Sequence, residues 1–474
     1  MRLLLPLLVL TACRRDDPAP TGSTLAPVVC DWGEVSAEPA PLDVHAARVT
    51  VTADAAGWIT AGPRTGQWVE AGQTVAFIAR DVAPTDDLEV ALDGAPCPTG
   101  LTLDDPPTPW VHTTGDAPGL WCLDVSRSEN GSSTDRFVCY TAEGRPVTAL
   151  MFPDYAKMDV PSWTDDGRFV AIRSRRAAAV YDALEEPIAE VRAEDLATAY
   201  VHDDLDRHEL MVFDEGPWAG AIGLVSDTTD AVGDRVIATN GAIVWSPEEG
   251  VLWDVTLHGE LGDGEPLDPR VPYDRELLGP ALDLDWGHAN ALLYDPDRHW
   301  LWMNLRAQDW AVALDPATDT VATRLGHQGD LALVDPTGAP LPDDQWFFHS
   351  HAPTTTPDGR WLVYDNGNVR AGQVEGDAPY SRIIELDVDP EAGQATLHWA
   401  STDGDPTDPL AFYAESQGNA IAVSDGIAWH HYATGVGPRV RWVSRDHSVR
   451  FTLDVEGASP AYRVTWREGL PGDR

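Results

Sequence analysis

Between Asp285 and Arg370, histidines, asparagines and Arg306 fall at spacings that suit strands aimed at a common centre. Alternate side chains of an extended strand share a face, so His288 and Asn290 project one way, and so do His349 and His351. Arg306 lies between these two pairs in sequence, in Leu305-Arg306-Ala307-Gln308. A neutral imidazole is available near pH 7 as a nucleophile, and a fixed guanidinium stabilises anionic oxygens. Two adjacent imidazoles disfavour double protonation, which keeps one of them neutral. The same pair also suits a transition metal. An earlier histidine, His202 in Val201-His202-Asp203-Asp204, suits general acid or base work. Asn366, in the turn Asp365-Asn366-Gly367-Asn368, and the nearby Arg370 are further candidates for contact with a substrate.

Taken in order, these pieces resemble the arylsulfotransferase family. The matching elements are His288-x-Asn290, the Leu-Arg-x-Gln around Arg306, His351 ahead of Pro357-Asp358-Gly359, Asp365-Asn366-Gly367, and Ser381-Arg382. The resemblance implies transfer of a sulfuryl group from an aryl sulfate ester to a phenolic acceptor, without a dissociable organic cofactor. It places the nucleophile at His351, which would carry the group as a sulfohistidine in a ping-pong cycle. His288, Asn290 and Arg306 match positions that hold the sulfuryl oxygens, and His202 resembles the family's His-Asp element in an earlier repeat. Two other readings of the same residues stay open: a non-catalytic propeller that binds a ligand or a protein of the cell envelope, and a metal-dependent enzyme with histidine ligands.

Strands must position these groups. The 474 residues hold 19 Trp, 40 Gly and 38 Pro, a composition of short strands and tight turns. From about Met151 a four-strand unit repeats every 40 to 60 residues or so, which reads as a β-propeller. The terminal strand Tyr462 to Trp466 is expected to join Pro146 to Phe152 and close a sixth blade, and the family resemblance also implies six. In such a fold the first strand of each blade lines the channel, and His202, His288, His351, Gln417 and Asn419 are expected there. Between Asp43 and about Thr148 the strand signals fit a small β-sandwich of immunoglobulin or fibronectin type. The expected organisation is a signal segment over 1–13, a tether over 14–40, a sandwich over 41–145 and a propeller over 146–474. His430 and His431, after a second strand, are expected at the surface.

Met1 to Cys13 has a charged start, a short apolar run and Leu10-Thr11-Ala12-Cys13, the pattern of a bacterial lipobox. The sequence therefore predicts export and anchoring by acyl chains on Cys13. Four cysteines remain, an even number that suits two disulfides in an exported protein. Asn130-Gly131 is a strong two-residue hairpin turn, and Cys122 faces Cys139 across it, which leaves Cys30 to pair with Cys97. The formal net charge of -45 opposes binding to nucleic acid and to anionic membrane surfaces. Any membrane contact is expected through the lipid anchor alone. Lysine occurs once, at Lys157, so any anion site must be built from histidine and arginine.

Overall fold

A computed structural model describes residues 26–40, 46–61, 65–79, 88–101, 103, 111–129, 132–151, 159–163, 169–174, 177–181, 187–192, 196, 198, 202–232, 235–257, 284–368, 370–373, 378–402, 408, 410–433, 437–456 and 461–469. The lipobox with Cys13 and the turn at Asn130-Gly131 lie outside these residues. Among them the protein is all-β, with eight sheets.

Two four-stranded sheets face each other at the N-terminal side. One orders Val28–Cys30, Gly33–Pro39, Ala47–Ala53 and Thr74–Ala79; the other orders Thr65–Val69, Gly57–Ala61, Glu89–Leu92 and Ala95–Pro98. Alternation produces the sandwich: Val35, Val49, Val51, Ile59, Val69 and Val90 are buried between the sheets, while Glu34, Thr52 and Trp58 face outward. Cys30 and Cys97 join the edge strands of the two sheets. The segment expected to be a tether thus already contains two strands of the sandwich, Val28–Cys30 and Gly33–Pro39.

The other six sheets are blades, each built on four antiparallel strands. Their innermost strands are Asp159–Trp163, Asp204–Val212, Ala289–Asp295, His351–Thr355, Ala420–Val423 and Val464–Arg467. Neighbouring blades pack face to face around the circle, and the protein is a β-propeller.

The hairpin Leu120–Glu129 and Ser132–Tyr140 was expected in the sandwich and lies in the propeller instead. Leu120–Glu129 pairs with Val464–Arg467, and Ser132–Tyr140 pairs with Pro146–Met151. Pro146–Met151 and Val464–Arg467 therefore form the opposite edges of one sheet, with the hairpin between them. Both faces of the hairpin are apolar, which suits a blade held between two others rather than a sheet with one wet face. Trp121, Leu123 and Val125 pack toward Ala428, Trp442 and Phe451, while Leu120, Cys122, Phe137 and Cys139 pack toward Ala171, Ala179 and Tyr181. The register places Cys122 opposite Cys139, and the two are bonded.

Candidate active site

Each innermost strand starts at the same end of the propeller. His288, Gln417, Asn419, Tyr462 and Arg463 lie just before such starts, and His351 is the first residue of its strand. The connections between second and third strands return to that end because the strands are antiparallel. They deliver Arg306, in the short helix Arg306–Gln308, and Asn366.

His351 is buried. Asn366 donates through Nδ2 to the carbonyls of Ala414 (2.8 Å) and Gln417 (3.0 Å), so its Oδ1 faces the imidazole and accepts the Nδ1 proton at 2.7 Å. That fixes the tautomer with the lone pair on Nε2, where the Gln417 N–H donates at 3.2 Å. Burial holds the His351 pKa well below the ordinary histidine value; Arg306, His288 and His208 push the same way, and the Asn366 hydrogen bond opposes them. Gln417 and Gly418 both have positive φ, 64° and 108°. A Cβ at Gly418 would enter the Tyr364 ring, so only glycine brings the Gln417 amide to this nitrogen.

His288 is half-buried and left-handed, with φ 48°. Asp285 accepts its N–H at 3.1 Å and contacts its Nδ1 at 2.6 Å. The His208 ring stands 5.3 Å from His288 and 5.6 Å from Tyr462, and Tyr462 stands 6.5 Å from His351. Arg306 is buried, donates to the Glu415 carbonyl at 3.4 Å and bears on the His351 charge. Three imidazoles, one guanidinium and a phenol thus meet at one end of the channel.

Other expected residues lie elsewhere. His202 precedes its strand and turns into its own blade, with Nδ1 2.6 Å from Ser226 and Nε2 3.3 Å from Asp254. Burial is the first cause of its lowered pKa. His208, six residues on and within the strand, takes the place expected for it. His349 does not share a face with His351, because it lies ahead of the strand His351–Thr355 and its positive φ (53°) breaks the alternation. Its N–H donates to Asp309 at 2.7 Å and its Nδ1 lies 3.3 Å from the same carboxylate.

Asn290 is wholly buried and braces the backbone beside His351. It donates to the Ser350 carbonyl at 2.9 Å and accepts from Asn304 at 2.8 Å. Asn366 positions His351 rather than reaching outward. Arg370 lies 2.9 Å from Asp365, donates to the carbonyls of Asp344 and Trp346, and sits 4.4 Å from the Tyr380 ring. Arg382 meets the same Asp365 oxygen at 2.9 Å. His430 and His431 are buried, not at the surface. His430 bonds the Ala461 carbonyl at 2.8 Å, and His431 stacks on Phe412 at 4.7 Å.

Beneath the imidazoles, Arg463 binds Glu209 at 2.9 and 3.1 Å and donates to the carbonyls of His208 and Asn290. Sequence reading passed over His208, Tyr462 and Arg463. The only available signal was the second histidine in Asp204-Leu205-Asp206-Arg207-His208-Glu209, a tract that otherwise reads as charged surface.

No curated protein matches the chain in sequence. Among solved structures, it is similar to the Cps50 (Swd1) β-propeller domain of Myceliophteria thermophila, at 11% identity and a TM-score of 0.38 over 71% of this chain and 86% of that one. It is also similar to a streptogramin B lyase, at 10% identity and a TM-score of 0.37 over 76% and 98%. An auxiliary nutrient binding protein from Bacteroides thetaiotaomicron gives 10% identity and a TM-score of 0.37 over 89% and 88%. Likenesses this distant say nothing about chemistry. A family profile is more specific: it matches residues 164–461, more than half of the chain, and spans His208, His288, Arg306, His351 and Asn366. The chain belongs to the arylsulfotransferase (ASST) family.

Proposed function

We propose that the protein moves a sulfuryl group from an aryl sulfate ester to a phenol in two displacements through Nε2 of His351. The observation that carries this reading is the buried, uncharged His351, whose Nδ1 proton is held by Asn366 so that Nε2 keeps its lone pair. In the first step Nε2 attacks sulfur, the N–S bond forms and the aryl O–S bond breaks. The leaving phenolate takes a proton from an imidazolium at His288 or His208. In the second step that imidazole accepts the proton of the incoming phenol, whose oxygen attacks sulfur as the N–S bond breaks. Arg306 stabilises the sulfuryl oxygens where negative charge develops. The Gln417 N–H leaves Nε2 as sulfur approaches.

Cell-envelope anchoring through Cys13 remains part of this proposal. The two disulfides support an oxidising compartment, and intact mass of the membrane-extracted protein tests for acylation.

The function is tested with a chromogenic aryl sulfate, with and without added phenol, on the folded wild type and on His351→Ala. The expected result is phenol-dependent release that is lost in the variant, together with an acid-labile adduct of sulfuryl mass on a His351 peptide. A folded wild type that turns over no aryl sulfate would sink the assignment.

A further inference from the structure

No step of the proposed transfer uses Asp285, yet both of its carboxylate oxygens go to His288. Oδ1 accepts the backbone N–H at 3.1 Å, and Oδ2 lies 2.6 Å from Nδ1. Asp285 is buried, whereas His288 is half-buried. A carboxylate at that distance accepts the Nδ1 proton, which leaves Nε2, on the far side of the ring, as the nitrogen that can gain or lose one.

The turn that holds this pair is clamped from two sides. Leu284–Asp285 runs parallel to Ile237 and Ala238 of Arg235–Ser246, a strand of the blade that carries His208. The Trp286 N–H donates to the Ala238 carbonyl at 2.8 Å, and the Ala289 N–H to Asn240 Oδ1 at 2.9 Å. A Cβ at Gly287 would stand 2.6 Å from that same Asn240 oxygen, so glycine is what lets the turn approach so closely. From the other side, Gln308 Nε2 donates to the Trp286 carbonyl at 2.6 Å. The N–H groups of Arg306 and Ala307 donate to the carbonyls of His288 and Gly287 at 3.3 and 3.1 Å. His288 is thus fixed in relation both to Arg306 and to the blade of His208. Two imidazoles whose centroids are 5.3 Å apart resist carrying two positive charges together. The carboxylate in contact with His288 compensates a charge there directly.

We propose that Asp285 is the positioning residue that makes His288, rather than His208, the carrier of the phenolic proton. In the first displacement Nε2 of His351 bonds to sulfur, the aryl O–S bond breaks, and the departing oxygen takes the proton from Nε2 of His288, whose Nδ1–H stays on Asp285. In the second, Nε2 of His288 takes the proton of the incoming phenol as its oxygen bonds to sulfur and the bond from sulfur to His351 breaks. A weakly acidic phenol needs that proton in order to leave, whereas a strongly acidic one departs without it. Asp285 therefore extends the donor range from activated nitrophenyl esters to unactivated phenyl and alkylphenyl sulfates. The inference rests on the sulfuryl-transfer reading above.

The test is kcat/KM for phenyl sulfate and for 4-nitrophenyl sulfate, which in a two-displacement cycle reports the first step alone. Asp285→Asn keeps the shape and removes the charge. It is expected to lower the value for phenyl sulfate by at least about tenfold more than that for 4-nitrophenyl sulfate. His288→Gln gives the same bias, and Asp285→Asn adds little further in the His288→Gln background. A merely structural role would lower both donors by one factor. Equal loss on both donors, or the same bias in His208→Gln, overturns the proposal and leaves the proposed function standing. Nitrogen NMR of protein labelled in its histidines gives a readout free of turnover. A hydrogen-bonded Nδ1 proton, assigned to His288 by its loss in His288→Gln, is expected in the wild type and is expected to vanish or move in Asp285→Asn. Its absence from the wild type overturns the proposal. Its presence in a wild type that transfers no sulfuryl group sinks the proposed function and keeps the pairing of Asp285 with His288.

Discussion

At the scale of single residues, the tautomer of His351 decides whether the site can act. Asn366 supplies the acceptor that keeps the proton on Nδ1, and its own amide is locked by two carbonyls. Asn366→Ala is therefore expected to lower kcat by about 100-fold, in the range that proton-positioning groups supply. Asn366→Asp tests the cause. A carboxylate favours the imidazolium, so the acid limb of kcat/KM moves to higher pH, whereas in the wild type burial and Arg306 hold that limb below the ordinary histidine value of about 6.5. An unshifted pH profile in Asn366→Asp would refute the argument. His288, Arg306 and His351 were legible in the sequence because each sits in a short local pattern. His208 was not. Its role depends on which of two histidines, His202 or His208, falls inside a strand, and element boundaries are the weakest part of any reading by pattern. Strict alternation also misplaced His349, since nothing in Phe347-Phe348-His349-Ser350-His351 announces the left-handed residue. Trp286, Trp302 and Trp361 fill the interfaces between blades.

At the scale of elements, the disulfide hairpin reaches the site through the strand it pairs with. Asp124, on Leu120–Glu129, accepts the N–H groups of Tyr462 at 2.7 Å and Arg463 at 3.2 Å. Asn419 grips Val464 through two hydrogen bonds of 2.8 Å, one donated and one accepted. The closing strand is thereby held from both sides, and Tyr462 is delivered between His208 and His351. Asn419→Ala removes one buried donor and one buried acceptor, so a loss of about 2 kcal/mol of unfolding free energy is expected. Cys122→Ala/Cys139→Ala is expected to cost about 3 kcal/mol, as opening a loop of this length does. Denaturant midpoints measure both, and a midpoint equal to wild type for either variant would show that the closure is not where blade stability resides. The pairing of these cysteines could be read from the turn between them. The sheet that the hairpin joins could not, because its partner strand lies more than 300 residues away and no local pattern names it.

At the scale of the whole molecule, acid stability separates the buried histidines from the surface charge. His202, His351, His430 and His431 all have pKa values lowered by burial first, that of His430 to about 4. In the unfolded chain each returns to about 6.5. Below that pH the unfolded state binds more protons than the folded one, so stability is complete above about 6.5 and falls as pH drops toward the folded values. Each histidine contributes up to about 1.4 kcal/mol per pH unit across that window. The net charge of -45 acts in the opposite direction, since protonating carboxylates relieves self-repulsion. That relief begins nearer pH 4, where ordinary carboxylates titrate, so the interval from pH 6.5 to 5.5 isolates the histidines. Denaturant midpoints measured at pH 7.5, 6.5 and 5.5 in 0.15 M salt are expected to fall mainly over the last interval. His431→Gln is expected to flatten that fall by about one proton, because His431 lies against Phe412 with Arg439 and Arg441 opposing its charge. Raising the salt concentration weakens repulsion between exposed charges but leaves buried desolvation in place. The midpoint should then rise at every pH while its acid slope persists, and a slope abolished by salt would assign the effect to surface charge instead.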